Sequence, residues 1–420
     1  MNLVDSIKEN LPKSWGFVEL KDIAKIYDGT HQTPKYCETG IPFYSVEHVV
    51  ADNFSKTKFI SEEVFEKENK RVKLEKGDVL MTRIGNVGTA KYIDWDVKAS
   101  FYVSLALFKC KDNINSRYLA QYINSYYFKK ELWKKIIHVA FPIKINLGDL
   151  NKCKIPLPPL PEQQKIADIL STVDEKIAVI DQQIKATEEL KKGLMQRLLT
   201  KGMGHTEFKD SPLGKIPKSW EVKPLRKASL LIKDGTHSTH KNVDKGIPLL
   251  SAKDVKGNRV LIPDDCRRIS TVEFNKIHKN FRLKNGDILI TLVGTIGRVA
   301  LIKNYSENYT FQRSVGYVRL KDDCNALYFK YFFQSEYFTK ELNRLSNASA
   351  QAGVYLGELG KIKCIIPCLK EQKEIAEILG KVDAKLQTQK DKKQAYQQLK
   401  KGLMQQLLTG KIRVTNLIKA

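Results

Sequence analysis

The sequence predicts an α+β protein in which two mixed α/β globular domains are separated by two long helices. Three observations lead to this fold class. The 420-residue chain is written twice, each copy contains short apolar runs broken by glycines, and each copy ends in a long apolar stripe at heptad spacing. Because duplicated units tend to fold alike, we expect a pseudo-twofold tandem repeat whose helices form an intramolecular antiparallel coiled coil.

The duplication appears as three short strings that return in the same order. They are residues 11–15 (LPKSW) and 216–220 (IPKSW), residues 28–31 and 234–237 (both DGTH), and residues 192–200 (KGLMQRLLT) and 401–409 (KGLMQQLLT). The offset stays between about 205 and 209 residues, which is far too long for a solenoid repeat. Each copy is therefore a unit of domain size.

Each copy divides into a globular part and a helix. We place the first globular domain at residues 1–160 and its helix at 161–202. The second domain occupies residues 203–368 and its helix 369–420. Four prolines before the first helix should end regular structure and form a stiff linker, namely Pro156, Pro158, Pro159 and Pro161.

Within the first globular part, the local patterns alternate between strand and helix. Residues 77–85 (GDVLMTRIG) predict a turn, a strand and a second turn, and residues 101–108 (FYVSLALF) predict one strand. Aromatic and aliphatic residues recur on one face over residues 116–138, which predicts one helix. The domain is therefore expected to be mixed α+β.

The two helices carry apolar residues at alternating steps of three and four, the spacing of a coiled-coil seam. The seam residues are Ile166, Leu170, Val173, Ile177, Ile180 and Ile184 in the first helix, and Ile375, Leu379, Val382 and Leu386 in the second. Gln389 and Lys393 continue the second seam, so it is partly polar there. A helix of about 38 residues is about 57 Å long and needs a partner for its stripe. A buried core helix is the alternative, but two copies in one chain favour an antiparallel pair.

The charge points to a polyanionic partner. The net charge is +25 and the pI about 9.5, whereas basic and acidic residues balance over residues 161–202. The excess therefore lies elsewhere in the chain, largely in the globular parts; a merely soluble, lysine-rich surface is the alternative. An antiparallel pair would hold two basic domains apart like a ruler, which suits half-sites about 34 Å apart, or a multiple of that, on one duplex.

Apolar runs and cysteine content indicate the cellular compartment in which the protein is expected. The sequence has no run of 18 apolar residues and no apolar core of a signal peptide near its start, so we expect no membrane association. Seven scattered cysteines, an odd number, do not form a disulfide framework. A reducing cytoplasm is the expected location.

A family resemblance rests on the strings at the helix boundaries. Residues 157–166 (LPPLPEQQKI) and their copy 366–375 (IPCLKEQKEI) resemble the end of a target recognition domain in Type I restriction–modification specificity subunits. Residues 213–220 (LGKIPKSW) are similar to the usual opening of such a domain, and residues 192–199 and their copy resemble the usual helix ends. The resemblance covers nearly the whole chain, from Leu11 to Lys411.

The resemblance implies a function and a set of partners. One specificity subunit joins two methyltransferase subunits and, optionally, two restriction (translocating nuclease) subunits, and each target recognition domain reads one half of an asymmetric, bipartite site in double-stranded DNA. The helices set the gap and dock the methyltransferases, and the subunit itself has neither catalytic activity nor a cofactor. The second copy departs from the pattern at Cys368 and Lys370, where the first is proline-rich, so its linker should be less rigid.

The residues themselves support the expectation of no catalysis. Pro158 and Pro159 are flanked by leucines and not by the Asn/Asp and aromatic residue that an amino-methyltransferase loop needs. Neither a cofactor-binding glycine loop nor a metal-ligand set is present; the nearest approaches are the pairs Cys364/Cys368 and His237/His240. Two alternatives remain open at this point: a detached specificity part of a fused methyltransferase–nuclease, and a two-headed adaptor that binds proteins and not DNA.

Base-reading candidates are sought where the copies differ, because two half-sites usually differ. Arg83 matches Leu292, and Arg298 matches Thr89. Arg and Gln make bidentate contacts with guanine and adenine, although surface or salt-bridge roles are the alternative for each. The full set of DNA-binding candidates is Arg83, Asn86, Lys144, Arg298, Gln312 and Arg313.

The doubled DGTH string and the glycine pairs at 85/88 and 294/297 allow two interpretations. Asp and Gly favour tight turns, so the repeat needs no further function. Alternatively, these loops lie next to DNA, where glycines let backbone N–H groups approach a phosphate. The sequence leaves both open.

Overall fold

The computed structural model describes residues 8–306, 308–347 and 353–418. The chain divides into two compact units, one formed by Met1–Asp181 with Asp391–Ala420 and the other by Gln182–Lys390. Each unit therefore combines one globular repeat with part of both long helices. Over the described ranges, no helix has the length and apolar character needed to cross a membrane.

The first unit contains ten strands and six short helices before the first long helix. Its strands are β1 (Gly16–Glu19), β2 (Ala24–Asp28), β3 (Tyr36–Cys37), β4 (Ile41–Tyr44), β5 (Lys58–Ile60), β6 (Val79–Thr82), β7 (Ala90–Tyr92), β8 (Ser100–Phe101), β9 (Leu105–Cys110) and β10 (Lys154–Leu157). Its short helices are α1 (Leu20–Ile23), α2 (Val46–Ala51), α3 (Glu62–Glu68), α4 (Ser116–Ile123), α5 (Tyr126–Trp133) and α6 (Leu147–Asn151). These counts refer to the described residues.

The centre of the first unit is a four-stranded antiparallel sheet in the order β2-β9-β6-β7. Alternate residues of its strands face opposite sides. Val79 and Phe108 pack with α4 and α5 in one core, while Leu80 and Leu107 belong to a second core on the other face. A second sheet has the order β3-β5-β4-β8, and β1 pairs with β10. The central sheet is buried on both faces and so forms a rigid base for its loops.

Two local predictions for this unit were wrong in detail. The expected helix over residues 116–138 is two helices, because the Ser125 side chain accepts from Phe128 N and caps the start of α5. The expected strand over residues 101–108 is interrupted between β8 and β9 by a turn in which Leu105 N donates to Tyr102 O at 2.9 Å. Both breaks satisfy backbone groups locally, and apolar periodicity does not reveal them.

The second unit repeats this plan. Its strands are β11 (Phe208–Lys209), β12 (Ile216–Pro217), β13 (Glu221–Pro224), β14 (Ser229–Asp234), β15 (Ile247–Leu250), β16 (Val255–Lys256), β17 (Arg259–Val260), β18 (Arg268–Ile269), β19 (Ile288–Thr291), β20 (Val299–Leu301), β21 (Thr310–Phe311), β22 (Val315–Leu320) and β23 (Lys363–Ile366). Its central antiparallel sheet has the order β14-β22-β19-β20, which matches the first unit strand for strand.

The helices complete the list. The long helices are α7 (Leu160–Lys201, 42 residues) and α13 (Leu369–Leu407, 39 residues), and the short helices between them are α8 (Leu225–Ala228), α9 (Thr271–Ile277), α10 (Ala326–Phe333), α11 (Glu336–Asn347) and α12 (Leu356–Leu359).

The proline-rich stretch before α7 does not end regular structure as expected. Pro156 lies inside β10, opposite Phe17 of β1, and α7 begins only three residues after β10 ends. A two-stranded sheet tolerates a proline whose missing N–H is not needed for pairing. Pro161 occupies the first turn of α7, where backbone N–H groups have no helical partner in any case.

The long helices run antiparallel where they pair within each unit. In the first unit, Asp174 lies 2.7 Å from Lys400 and Asp181 lies 2.6 Å from Lys393. In the second unit, Lys191 lies 2.6 Å from Asp383. The polar seam position at Lys393 is thus matched by a carboxylate. Among the seam residues, the buried ones are Ile166, Leu170, Val173, Ile180, Ile184, Ile375, Leu379 and Leu386, and the half-buried ones are Ile177 and Val382.

A glutamate in the first turn of each long helix joins that helix to the start of the same repeat. We call these two residues, Glu162 and Glu371, the closing glutamates. Glu162 is 1 % exposed and accepts from Trp15 Nε1 at 2.9 Å and from the guanidinium of Arg413 at 2.7 Å. The equivalent Glu371 accepts from Trp220 Nε1 at 2.7 Å and lies 2.8 Å from His205 Nε2. The tryptophan that opens each repeat is therefore fixed to the helix that ends it.

Candidate nucleic-acid interface

The central sheet of each unit brings several loops to one of its ends. In the antiparallel order, the ends of β2 and β6 and the starts of β9 and β7 lie on the same side. We call the loops at this end the first loop cluster, which comprises residues 28–31, 83–89, 102–104 and 137–145. The second loop cluster comprises the matching residues 234–237, 292–298, 312–314 and 353–354. Each cluster is held by a sheet that is buried on both faces.

The DGTH turn is locked to the neighbouring turn by its backbone. Thr30 N donates to Phe101 O at 3.1 Å, and Val103 N donates to Thr30 O at 2.9 Å. A Cβ atom at Gly29 would lie 2.0 Å from Phe101 O, so only glycine fits. The second unit shows the same arrangement, with a clash of 2.1 Å between a Cβ at Gly235 and Phe311 O. The glycine of the motif therefore has a packing reason.

The aspartate of the first DGTH turn is the centre of a charged network. Asp28 is 7 % exposed; its Oδ2 lies 2.9 Å from His31 Nε2, and its Oδ1 accepts from Arg71 at 2.7 Å. Burial alone would raise the pKa of Asp28, but the hydrogen bonds from Arg71 and His31 outweigh it, so the pKa lies below its ordinary value. Asp28 is a carboxylate that fixes the ring of an exposed histidine.

The second DGTH turn keeps the pair and changes the surroundings. Asp234 Oδ2 lies 2.7 Å from His237 Nε2, and His237 is exposed. His240, which the sequence pairs with His237, is buried instead; its Nε2 lies 2.7 Å from Thr236 Oγ1 and its Nδ1 3.3 Å from a carboxylate oxygen of Glu273. In the part of the chain that the structure describes, no group of three His, Cys, Asp or Glu residues is placed to hold a metal ion.

Arg83 lies inside the first loop cluster and not on its surface. It is 7 % exposed, and its guanidinium donates to Ile145 O at 3.2 Å and to Val103 O at 2.9 Å and lies 3.4 Å from Asp28 Oδ2. It therefore connects three loops of the cluster. Burial lowers its pKa, while Asp28 opposes that shift. The geometry gives Arg83 a supporting position, which differs from the base-reading role suggested by the sequence.

The other candidates of the first cluster lie at its surface. Asn86 is exposed at the tip of the 83–89 turn, and its Oδ1 accepts from Thr89 Oγ1 at 3.1 Å. Lys144 is exposed, and its backbone bridges to Ile84 and Ile137. The prediction that they contact DNA is compatible with these positions.

The candidates of the second cluster lie close to its DGTH turn. Arg313 is exposed, and its backbone N donates to Thr236 O at 3.0 Å. Gln312 is half-buried and forms a backbone bridge with Thr236. Arg298 is half-buried, and its Nη1 lies 3.3 Å from Val255 O. Gln312 and Arg313 thus lie in one turn, whereas the side chain of Arg298 donates to the backbone of the segment that contains Val255.

Sequence reasoning missed two features of the first cluster. Tyr102 occupies the position of Gln312, as the matching bridges to Thr30 and Thr236 show, and its hydroxyl lies 3.3 Å from Thr33 Oγ1. Phe141 is fully exposed in the loop over residues 137–145. A comparison of the two copies could have identified Phe141, because residues 348–352 of the second copy read ASAQA and contain no aromatic residue.

Comparisons with known proteins follow the same division of the chain. A family model described as the Type I restriction modification DNA specificity domain matches residues 12–189 and 217–398. The Type I restriction enzyme MjaVIII specificity subunit of Methanocaldococcus jannaschii is 29 % identical over 97 % of this chain and 95 % of its own length. The putative type I restriction enzyme MjaX specificity subunit of the same organism is 28 % identical over 96 % of this chain and 95 % of its own.

A solved structure shares the fold at low sequence identity. The crystal structure of a Type I restriction–modification S subunit from M. genitalium superposes with a TM-score of 0.62 at 14 % identity, covering 97 % of this chain and 99 % of that one. Since the family model matches both repeats over most of the chain, this protein belongs to the Type I restriction modification DNA specificity domain family.

Proposed function

We propose that this chain is the DNA sequence-specificity subunit of a Type I restriction–modification complex. It recognises an asymmetric, bipartite target, with one repeat for each half of the site. It is not catalytic itself, and it acts in the cytoplasm on double-stranded DNA. Its net charge of +25 supports a polyanionic ligand.

One observation carries this proposal. The two loop clusters have the same backbone framework, down to the hydrogen bonds of the DGTH turn, but different side chains at matching positions. Tyr102 and Val103 in the first cluster correspond to Gln312 and Arg313 in the second. A common scaffold with divergent side chains in the same turn is what two different half-sites require, because base edges are read by side-chain identity.

The partners are part of the proposal. We infer that the long helices dock two methyltransferase subunits and set the number of base pairs between the half-sites, and that two restriction subunits join optionally. The helices support this because they are 42 and 39 residues long and keep exposed polar side chains along much of their length. The names of the relatives describe specificity subunits of Type I restriction enzymes, which fits a complex.

The decisive experiment is methylation sequencing of host DNA with and without this gene. We expect a split, asymmetric motif that loses methylation when the gene is deleted. The purified chain alone should neither methylate nor cut DNA, and methylation should appear when a methyltransferase subunit is added. Methylation by the highly purified chain alone would favour a fused catalytic protein.

Equilibrium binding separates the second alternative, the adaptor that binds proteins only. A specificity subunit should bind duplex DNA with an affinity that falls steeply as salt is raised, since phosphate contacts release counterions. An adaptor would bind methyltransferase subunits but no duplex at any salt concentration.

A further inference from the structure

We propose that the exposed histidines of the two DGTH turns, His31 and His237, each bind a DNA phosphate, so that both half-sites are held by the same sequence-independent contact. This inference rests on the proposed function, because it assigns a role within DNA recognition. It differs from the base-reading residues, which change from one copy to the other.

Packing explains the glycine, the aspartate and the threonine of the motif but not the histidine. The glycine is needed because a side chain would collide with the neighbouring strand end. The aspartate and threonine are buried or half-buried and hold the turn to the adjacent loop. The histidine alone is exposed, with 69 % of the side chain accessible at His31 and 63 % at His237. The imidazole contacts the aspartate of the same motif, whereas backbone hydrogen bonds hold the turn to the neighbouring loop, so the turn does not need the imidazole.

The residues around the DGTH motif differ between the two copies. The residues before it read AKIY in the first copy and LLIK in the second, and those after it read QTP and STH. The charged neighbours differ too: Arg71 and Arg83 bind Asp28, whereas Leu292 stands at the position of Arg83. Most of the residues on either side of the motif differ between the copies, whereas both copies keep an exposed imidazole. A contact that both half-sites need is one to the backbone, which is common to every sequence.

The orientation of the imidazole ring leaves one nitrogen that can contact a phosphate. In both copies Nε2 faces the aspartate oxygen, at 2.9 Å and 2.7 Å, so Nε2 carries a proton and Nδ1 is the free nitrogen. Nδ1 donates to a phosphate oxygen only when both ring nitrogens carry a proton. The proposed contact is therefore made by the doubly protonated ring at each turn.

The position of the rings fits this role. Each DGTH turn is hydrogen-bonded to the turn that carries the divergent residues 102–103 or 312–313. A phosphate held at the histidine would lie beside the segment proposed to reach the base edges. The contact would thus fix the register of each half-site without reading it.

The test uses the chain assembled with its methyltransferase subunits and two duplexes, one with the mapped target and one without it. The variants are His31→Gln, His237→Gln and the double variant, and the control is Lys215→Gln, an exposed lysine outside both loop clusters. We expect each single variant to weaken binding about five- to tenfold on both duplexes alike. The slope of log affinity against log salt should fall by about one for each histidine removed, and the control should change little.

Two further arms separate the outcomes. His31→Lys should restore most of the salt slope, and the loss in His31→Gln should be larger at pH 6 than at pH 8. The charged residues that line the small pocket around this ring are Asp28, Arg71 and Glu68. Equal melting temperatures will show that the variants are folded.

The results distinguish the inference from the proposed function. If the wild type binds neither duplex, the proposed function has failed. If the wild type binds and the histidine variants bind equally well, the phosphate contact is wrong. Loss confined to the target duplex would overturn it as well, because that pattern marks a base contact.

Discussion

In the first loop cluster a buried arginine, Arg83, ties three loops together, whereas the second cluster has Leu292 at that position and carries arginines at Arg298 and Arg313 instead. Leu292 is 2 % exposed and packs into the apolar core, and the backbone bonds around it remain, as Val354 N still donates to Leu292 O at 2.9 Å. Two different side chains thus hold the same loops. The comparison teaches that the backbone of the cluster is the common element and that arginine content alone does not identify a DNA-reading residue.

The largest effect should come from exchanging one whole repeat. Replacing residues 16–155 with the same span of another specificity subunit should change one half of the methylated motif completely and leave the other half intact, because each cluster is supported within its own unit. Methylation sequencing measures this, and the matched exchange of residues 221–364 should alter only the opposite half. A change in both halves after a single exchange would refute independent recognition.

The next largest effect concerns the helices. Residues 173–179 of α7 face residues 395–401 of α13, as the contact between Asp174 and Lys400 shows. Removing both segments preserves the heptad stripe and shortens the helices by about 10.5 Å, or roughly three base pairs. We expect a motif with a shorter gap, or loss of tight binding, with both half-sequences unchanged. An active variant that keeps the original gap would leave the helices as a docking surface only.

A smaller effect is expected at the divergent turn. Arg313→Ala should cost about 1–3 kcal/mol of discrimination at one position of the second half-site, because it removes an exposed guanidinium beside the DGTH turn. Val103→Ala, at the matching position of the first cluster, is the control. Affinities for duplexes that carry each base substitution report the change. Equal weakening on every duplex would assign Arg313 to a phosphate and not to a base.

The two closing glutamates should respond differently to substitution. Burial would raise the pKa of Glu162, but the donors Arg413 and Trp15 hold it below its ordinary value. Its contribution is therefore fully present above the unfolded-state pKa and is lost as the pH falls through the folded-state pKa. Glu162→Gln should cost on the order of 1–3 kcal/mol at neutral pH.

Thermal melts between about pH 7 and pH 3 measure this effect, and the difference between wild type and Glu162→Gln should shrink toward the acid end. Glu371→Gln is the matched variant in the second unit. Its partner is a histidine, which is charged only when protonated, so we expect a smaller loss at pH 8. A constant difference across the whole pH range would show that Glu162 does not act through its charge.

The smallest effect on recognition should come from Arg83→Leu, which installs the residue of the second cluster. Because the guanidinium bonds to Ile145 O and Val103 O, its loss should destabilise the first unit by about 1–3 kcal/mol but leave the target sequence unchanged. Chemical unfolding and methylation mapping measure the two properties. An altered base preference would return Arg83 to the base-reading set.

The sequence predicts the repeat, the α+β class and the long helices because each is written in periodicity or in repeated strings. It does not predict that Arg83 is buried and Arg313 exposed, because the burial of each side chain depends on loops that are distant in the sequence. Nor does it reveal the breaks at Ser125 and after Phe101, where one side-chain cap or one turn competes with an unbroken apolar pattern. The candidate site is formed where loops that are distant in the sequence come into contact, so its framework could not be predicted from the sequence alone.

The discontinuous first unit has a consequence for synthesis. Its helix partner and the Arg413 guanidinium that binds Glu162 come from the last 30 residues of the chain, Asp391–Ala420. The second unit, Gln182–Lys390, is one continuous segment. A chain that emerges from the ribosome N-terminus first can therefore complete its second unit before its first. Until residues 391–420 have been synthesised, Trp15 and Glu162 lack their contacts with Arg413.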